Sequence, residues 1–422
     1  MITPSYGLTA TERVLPRMAL DFTTASLDPR VTFTRTGDTA TVVNSGGYVA
    51  PINANLPRFD FNPVTLACNG LLIEESRVNL LLQSQTFQTT WAATACSIDD
   101  DATNGPDGLL TADKIIPNVG ASVSNAAASV LVRQDITKAA VATTYTYSIF
   151  AKEGEFNGIR LFVRDNAVSG NNAVVTFSLV NGSVAVAAAA AGTFTNASAS
   201  AGTLYANGFY RFSLTFTTGT ETTVRILAIP SNSTATTGDG SKGIFVWGAQ
   251  VEANAFATSY IPTTTTSLTR NADVATMTGA NFSDWYTATT GAAVVWAIPQ
   301  TAAGTRPLLQ FDDTTANEII ALRGNVANPE LYIVDGGAPQ AQIDAGTIVA
   351  NTTYKLSGAW NTDSCAAAQN GAATVTDNTA TIPTPTQLRI GSDGTNYASA
   401  LIQKIMYYPQ RIIDAEVQAI SK

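Results

Sequence analysis

Short runs of alternating apolar and polar residues, punctuated by Gly, Asn and Asp, recur along the whole 422-residue chain. Arg30-Val-Thr-Phe-Thr-Arg35 is one such run. Thr144-Tyr-Thr-Tyr-Ser-Ile-Phe150, Gly158-Ile-Arg-Leu-Phe-Val163, Phe209-Tyr-Arg-Phe-Ser-Leu-Thr-Phe216 and Gly243-Ile-Phe-Val-Trp-Gly-Ala-Gln-Val251 are others. A period of two places every second side chain on one face of a strand, and closely spaced turn signals join such strands into sandwiches or barrels. About 60 threonines add a residue type that favours the pleated sheet. No 15-residue stretch carries a helical period. A single short helix is expected at Asp414-Ala-Glu-Val-Gln-Ala-Ile-Ser, with Asp414 as N-cap or first-turn acid. The fold class expected is all-β, in tandem antiparallel sandwiches.

Composition narrows the chemistry. There is no histidine, which removes His-dependent nucleophile systems, His-ligated metal centres and His general bases. A net charge of -9 argues against a sequence-independent nucleic-acid binder, which needs a basic face to neutralise phosphates. Cys68, Cys96 and Cys365 match no metal knuckle and no redox pair. They read as reduced thiols of a protein folded in a reducing cytoplasm, with a Cys68–Cys96 disulfide as the alternative. The first residues lack a signal-peptide pattern, and no apolar run is long enough to span a membrane.

Two breaks in composition suggest three parts: 1–90, 91–265 and 270–422. One break lies near Gln83–Trp91. The other is Ile261-Pro-Thr-Thr-Thr-Thr-Ser-Leu268, whose Pro and Thr run suggest an extended, non-packing connector. No heptad, collagen-like or 20–50-residue repeat is present, so a long fibrous stalk is not expected.

Three segments carry a family resemblance. They are Gly70-Leu-Leu-Ile-Glu-Glu-Ser-Arg-Val-Asn through Phe87 and Trp91; Pro106-Asp-Gly-Leu-Leu-Thr-Ala-Asp-Lys114; and Trp247-Gly-Ala-Gln-Val-Glu, Phe256-Ala-Thr-Ser-Tyr-Ile-Pro-Thr263 and Thr269-Arg-Asn-Ala-Asp-Val274 taken together. Over roughly Leu20 to Val274 the chain resembles virion proteins of tailed bacteriophages: head-fibre, tail-fibre and spike-like chains. Their central module is similar to a carbohydrate-binding β jelly roll. From 270 to 422, Lys355-Leu-Ser-Gly-Ala-Trp360, Leu388-Arg-Ile-Gly-Ser392 and Ile405-Met-Tyr-Tyr-Pro-Gln-Arg-Ile-Ile-Asp-Ala-Glu416 resemble a concanavalin or laminin-G-like sandwich.

The resemblance implies a non-enzymatic structural protein on the virion surface, as head fibre, capsid decoration or short tail fibre. It would adhere to bacterial surface polysaccharide and touch other virion proteins through its N-terminal region, commonly as a homotrimer. A docking arm is expected over residues 1–20, removable without loss of folding. No nucleic-acid partner and no membrane insertion are expected. The alternatives are a tail-spike glycan depolymerase and a secreted bacterial lectin-like module. Glucanases of the concanavalin-like fold carry acids at every second position of one strand, and 270–422 has no such triplet.

Trp91, Trp285, Tyr286 and Tyr397 lie beside polar or turn residues and are the candidates for stacking on a sugar ring. Trp247, Trp296 and Trp360 sit in apolar strands and read as core. No cofactor is expected beyond a structural calcium, for which Asp99, Asp101, Asp312 and Asp313 are the candidate ligands, because calcium takes six to eight oxygens. Glu74, Glu75 and Arg77 read as local ion pairing or interface contacts.

Overall fold

A computed structural model describes residues 15–126 and 129–422. Strands dominate, every resolved pairing register is antiparallel, and the chain forms tandem sandwiches as expected. The chain divides into two compact units rather than three parts: unit 1 comprises 1–33, 70–73 and 274–422, and unit 2 comprises 34–69 and 74–273. The segment 1–90 is therefore shared between the two, and the chain passes from one unit to the other four times.

Unit 2 is a jelly-roll sandwich of a seven-stranded layer, in which Thr203–Leu204 pairs beside Tyr210–Thr217, and a six-stranded layer. One layer runs Thr195–Ser198, Tyr210–Thr217, Thr144–Lys152, Ile244–Glu252, Leu110–Pro117, Cys96–Asn104. The other runs Val184–Ala191, Asn172–Ser178, Gly158–Asp165, Thr223–Ser231, Leu131–Thr137, Ala92–Thr94. The alternation seen in the sequence decides which face is inside. Ile159, Leu161 and Val163 join one core with Tyr147, Ile149, Phe212, Leu214 and Ile244 of the opposite layer. Phe177 and Phe212 stack across it at 4.5 Å.

Unit 1 is the second sandwich. One layer includes Val375–Asp377, Cys365–Gln369, Tyr354–Trp360, Gly291–Pro299 and Ala400–Tyr408. Strand Met18–Asp21 and residues Gly70–Ile73 pair along the free side of Ala400–Tyr408. The other layer includes Val274–Thr278, Gln387–Ile390, Thr305–Asp312, Ile319–Asn325, Asn328–Asp335 and Ala338–Asp344. Gly70 is where the main chains come closest. Its φ is +121°, and a Cβ there would lie 2.3 Å from the Ile402 carbonyl oxygen.

The terminal helix forms at Asp414–Ile420. Ile413 is its N-cap, and Asp414 sits in the first turn paired with Arg411 at 2.5 Å. Val417 is fully buried, in a cluster with Ala292, Ala359, Ala366 and Ala368, small residues that admit a helix against a sheet.

Three expectations are corrected. The Thr run is not a non-packing connector, because both of its flanks are bonded into unit 2. Thr263 donates from its amide to Ser84 Oγ (2.8 Å) and from Oγ1 to the Leu81 carbonyl (2.6 Å), and Leu268–Arg270 pairs with Arg77–Asn79. The stretch near Gln83–Trp91 is likewise core rather than boundary, with Leu81 and Phe87 fully buried. Part of the segment expected as a docking arm over residues 1–20 is a strand of unit 1. Met18 and Leu20 are buried in a paired strand, and residues 1–14 lie outside the described residues. All three cysteines are free thiols, and burial pushes Cys365 up to about 11.

Candidate functional site

Two of the four candidate sugar-stacking aromatics are interior. Trp91 is buried against Phe87, ring centroids 4.8 Å apart, and donates Nε1 to the Gln83 carbonyl. Trp285 is buried beside Phe282 and Tyr407 and donates Nε1 to the Asn281 carbonyl at 2.6 Å. Neither presents a free face to a sugar. Trp91 packs on a ring four residues before it, whereas Trp285 is also enclosed by Phe311 and Tyr407 from distant strands. Tyr286 is half-buried, its ring stacked on Phe282 at 4.6 Å and its hydroxyl enclosed. Tyr397 is half-buried in the loop before Ala400–Tyr408, where its carbonyl accepts from Arg306 Nη1. Trp247 and Trp360 are core as expected. Trp296 is not: it lies half-buried with the Lys355 and Lys404 ammoniums 4.0 and 5.2 Å from its ring centroid.

The candidate calcium ligands do not assemble as expected. Asp312 is buried, and its carboxylate is taken up by donors of the protein: Gln310 Nε2 (2.9 Å), Arg389 Nε (2.9 Å), Gln387 Nε2 and the Thr314 amide. Asp313 points into its own turn and accepts from the Thr315 amide and hydroxyl. Asp101 gathers with Asp100 and Asp113 instead of Asp99, their carboxylate oxygens within 4.8 Å of one another. Burial raises the Asp113 carboxyl to about 7, with the neighbouring Asp100 carboxylate adding to the shift. Its two oxygens already accept from the amides of Asp101 (3.1 Å) and Phe87 (2.7 Å). With one oxygen from each, the three side chains offer three ligands, fewer than the six to eight that calcium takes.

The motif residues themselves meet inside unit 2. Arg58, Arg35, Arg270, Glu74 and Asp273 form an ion network with no exposed side chain. Arg58 pairs with Glu74 at 2.8 Å and with Asp273, donating also to Ser259 Oγ at 2.7 Å. Arg270 pairs with Glu74 at 2.9 Å, and Arg35 donates to Asp273 at 3.2 Å. Burial would raise the Glu74 carboxyl, but the Arg270 and Arg58 guanidiniums override it and hold it well below the usual carboxylate range. Glu74 comes from the first motif, Ser259 and Arg270–Asp273 from the third. These motifs are therefore architectural, and the local pairing expected at Glu74-Glu75-Arg77 holds only for Glu75 with Arg77.

The surface best built to meet a ligand is the outward face of the unit 2 layer centred on Gly158–Asp165. Residues 159, 161 and 163 fill the core, so Arg160, Phe162 and Arg164 face out, half-exposed. Arg225 lies directly opposite Arg164 on the next strand. Asp135, one strand further, takes Arg225 bidentately at 2.8 and 2.9 Å. Phe162 and Arg133 lie on either side of Leu227. The Arg160 guanidinium sits 5.3 Å from the Phe162 ring centroid. An aromatic ring and planar hydrogen-bond donors thus share one sheet, while Leu227 between them is buried. The signal was present as Arg-x-Phe-x-Arg alternating with Ile, Leu and Val, but the partner strands lie some 25 to 65 residues away in sequence.

No protein-family description and no curated protein sequence matches the chain. Among solved structures, the CBM40 module of Ruminococcus gnavus IT-sialidase bound to α2,3-sialyllactose is similar over 32% of this chain and 84% of its own, with 13% identity and a TM-score of 0.28. Domain 4 of AbnA, a GH43 extracellular arabinanase from Geobacillus stearothermophilus in complex with arabinotriose, is similar over 36% and 73%, with 13% identity and a TM-score of 0.28. Trypanosoma rangeli sialidase is similar over 73% and 59%, with 11% identity and a TM-score of 0.27.

Proposed function

We propose that this chain is a non-enzymatic, adhesive structural protein that binds polysaccharide on the outward sheet face of unit 2. The observation that carries the reading is the combination on that face of the half-exposed Phe162 ring and guanidinium donors, held on one sheet of a sandwich. A sugar is recognised by an apolar surface under its ring and by planar polar groups at its hydroxyls. A flat sheet face offers both, and it suits weak contacts multiplied by many copies, where multivalency adds about 10²–10⁴ in avidity.

The sequence resemblance to tailed-phage fibre and spike proteins supports placing this adhesion on a virion surface, with bacterial surface polysaccharide as the ligand and other virion proteins as partners. A homotrimer and assembly in the host cytoplasm belong to the same reading.

The test is affinity electrophoresis of the purified chain through gels containing bacterial envelope polysaccharide, together with a reducing-end assay on the same material. Retardation without release of reducing ends is expected. Release of reducing ends would replace the adhesive reading by the depolymerase one. Absence of retardation by any polysaccharide would overturn it.

A further inference from the structure

The charge on this face is not balanced by the protein. The six strands of the layer carry four arginines, Arg133, Arg160, Arg164 and Arg225, and two aspartates. One aspartate, Asp165, is buried at a strand end, where it holds the Ala167 amide and Asn171. Only Asp135 answers the arginines on the outward face, and it is committed to Arg225. Arg160 donates to the Ala126 carbonyl. Arg133 and Arg164 make no hydrogen bond and no ion pair among the described residues; their charges add to the lowering of the Asp135 carboxyl, which comes first from its bond to Arg225. Arg164 also stands directly opposite Arg225, a like-charge register that costs stability.

Four arginines against one outward aspartate thus put surplus positive charge on this sheet face of a chain of net charge -9, beside the half-exposed ring of Phe162. Arginine is the side chain whose planar fork matches a carboxylate. Arg133 and Arg164 lie two strands apart and one pair along, roughly 12 Å between Cα atoms from sheet spacings, a separation longer than one sugar ring.

We infer that the outward face of this layer binds acidic, carboxylate-bearing polysaccharide, with Arg133 and Arg164 taking carboxylates on separated sugar residues and Phe162 lying under a ring between them. This inference rests on the polysaccharide-binding reading above and gives it a ligand class. Asp135 then acts as a resident competitor for Arg225.

The experiment is affinity electrophoresis of the full chain with polygalacturonate and alginate as acidic probes and dextran and pullulan as neutral ones, each at low salt and in 0.5 M NaCl. Retardation by the acidic probes alone is expected, with loss in high salt, where the screening length falls to roughly 4 Å. Arg133→Gln with Arg164→Gln is expected to weaken binding at least tenfold with the melting temperature unchanged. Asp135→Asn is expected to tighten it several-fold, a gain that damage to the fold does not imitate. Equal binding of dextran, or indifference to all three substitutions, would overturn the ligand class while leaving polysaccharide binding standing. No binding to any probe would overturn both. Tighter binding of oligo-dT than of polygalacturonate would overturn the inference by assigning the face to phosphate.

Discussion

Replacing Asp273 by Asn removes one charge from a dry network and leaves its shape nearly unchanged. In the native protein Asp273 accepts from Arg35 (3.2 Å), from Arg58 through Nε (3.2 Å) and Nη2, and from the Glu74 amide (2.9 Å). Three arginines and two carboxylates make the buried group net +1, and Asp273→Asn makes it +2 with no water to share the load. Four donors then face an amide that has one accepting oxygen. Stranding buried charge in this way typically costs about 3–5 kcal/mol. With a urea slope of about 2–3 kcal/mol/M for a unit of this size, the midpoint should fall by about 1–2 M. The assay is equilibrium urea unfolding followed by the fluorescence of buried Trp91 and Trp247. Arg35→Met in the same chain returns the network to net +1 and should recover part of the loss. A cost below about 1 kcal/mol, the level of an exposed ion pair, would refute the reasoning by showing that water reaches these charges.

The same network sets a direction for acid. Glu74 is held below its ordinary value of 4.5, so its contribution is complete above that pH and is lost as pH falls toward the depressed folded value; Asp60 and Asp113, raised to about 7, act the other way and add stability as pH falls from 7 toward 4. The urea midpoint of unit 2 should therefore rise between pH 7 and about 5 and fall below about 4, and a flat profile to pH 3 would contradict this. Gly70→Ala should destabilise unit 1 by about 2–4 kcal/mol in thermal unfolding, because its Cβ would meet the Ile402 carbonyl at 2.3 Å and its φ of +121° excludes L side chains. Removing residues 1–21 should lower the melting temperature by several degrees through loss of Met18 and Leu20, and Met18→Ser with Leu20→Ser should reproduce most of that fall; no effect of the double substitution would contradict the strand assignment.

The legible part of the fold was the part written locally. Gly158–Val163 announces a strand and its buried face by strict alternation, and the Asp-Ala-Glu at 414–416 announces a helix start. Neither depends on a distant residue. Trp91 and Trp285 failed for the opposite reason. Trp285 is enclosed by Phe311 and Tyr407, the latter 122 residues away, and Trp91 by Phe87, whose own burial depends on strands of the unit 2 core far off in sequence. The Thr run at 263–266 misled because hydroxyls look solvent-seeking until one of them finds the Leu81 carbonyl. Asp312 looked free to bind a cation because its donors, Gln387 and Arg389, are some 75 residues on. The surplus arginines were individually visible, but their grouping on one face follows from strand order, which a single sequence does not state.

The pairing of Gly70–Ile73 and Met18–Asp21 with Ala400–Tyr408 has a consequence in time. During synthesis the apolar Leu71, Leu72 and Ile73 leave the ribosome roughly 300 residues before the strand that will cover their edge exists. At about 5–20 residues per second that is a wait of roughly 15–60 s. Unit 2, whose residues are all made by position 273, can close during this interval, while the early strands of unit 1 stay uncovered. The order of folding is thereby set by the ribosome rather than by intrinsic stability, and the hazard of the interval is edge-to-edge pairing between nascent chains on neighbouring ribosomes.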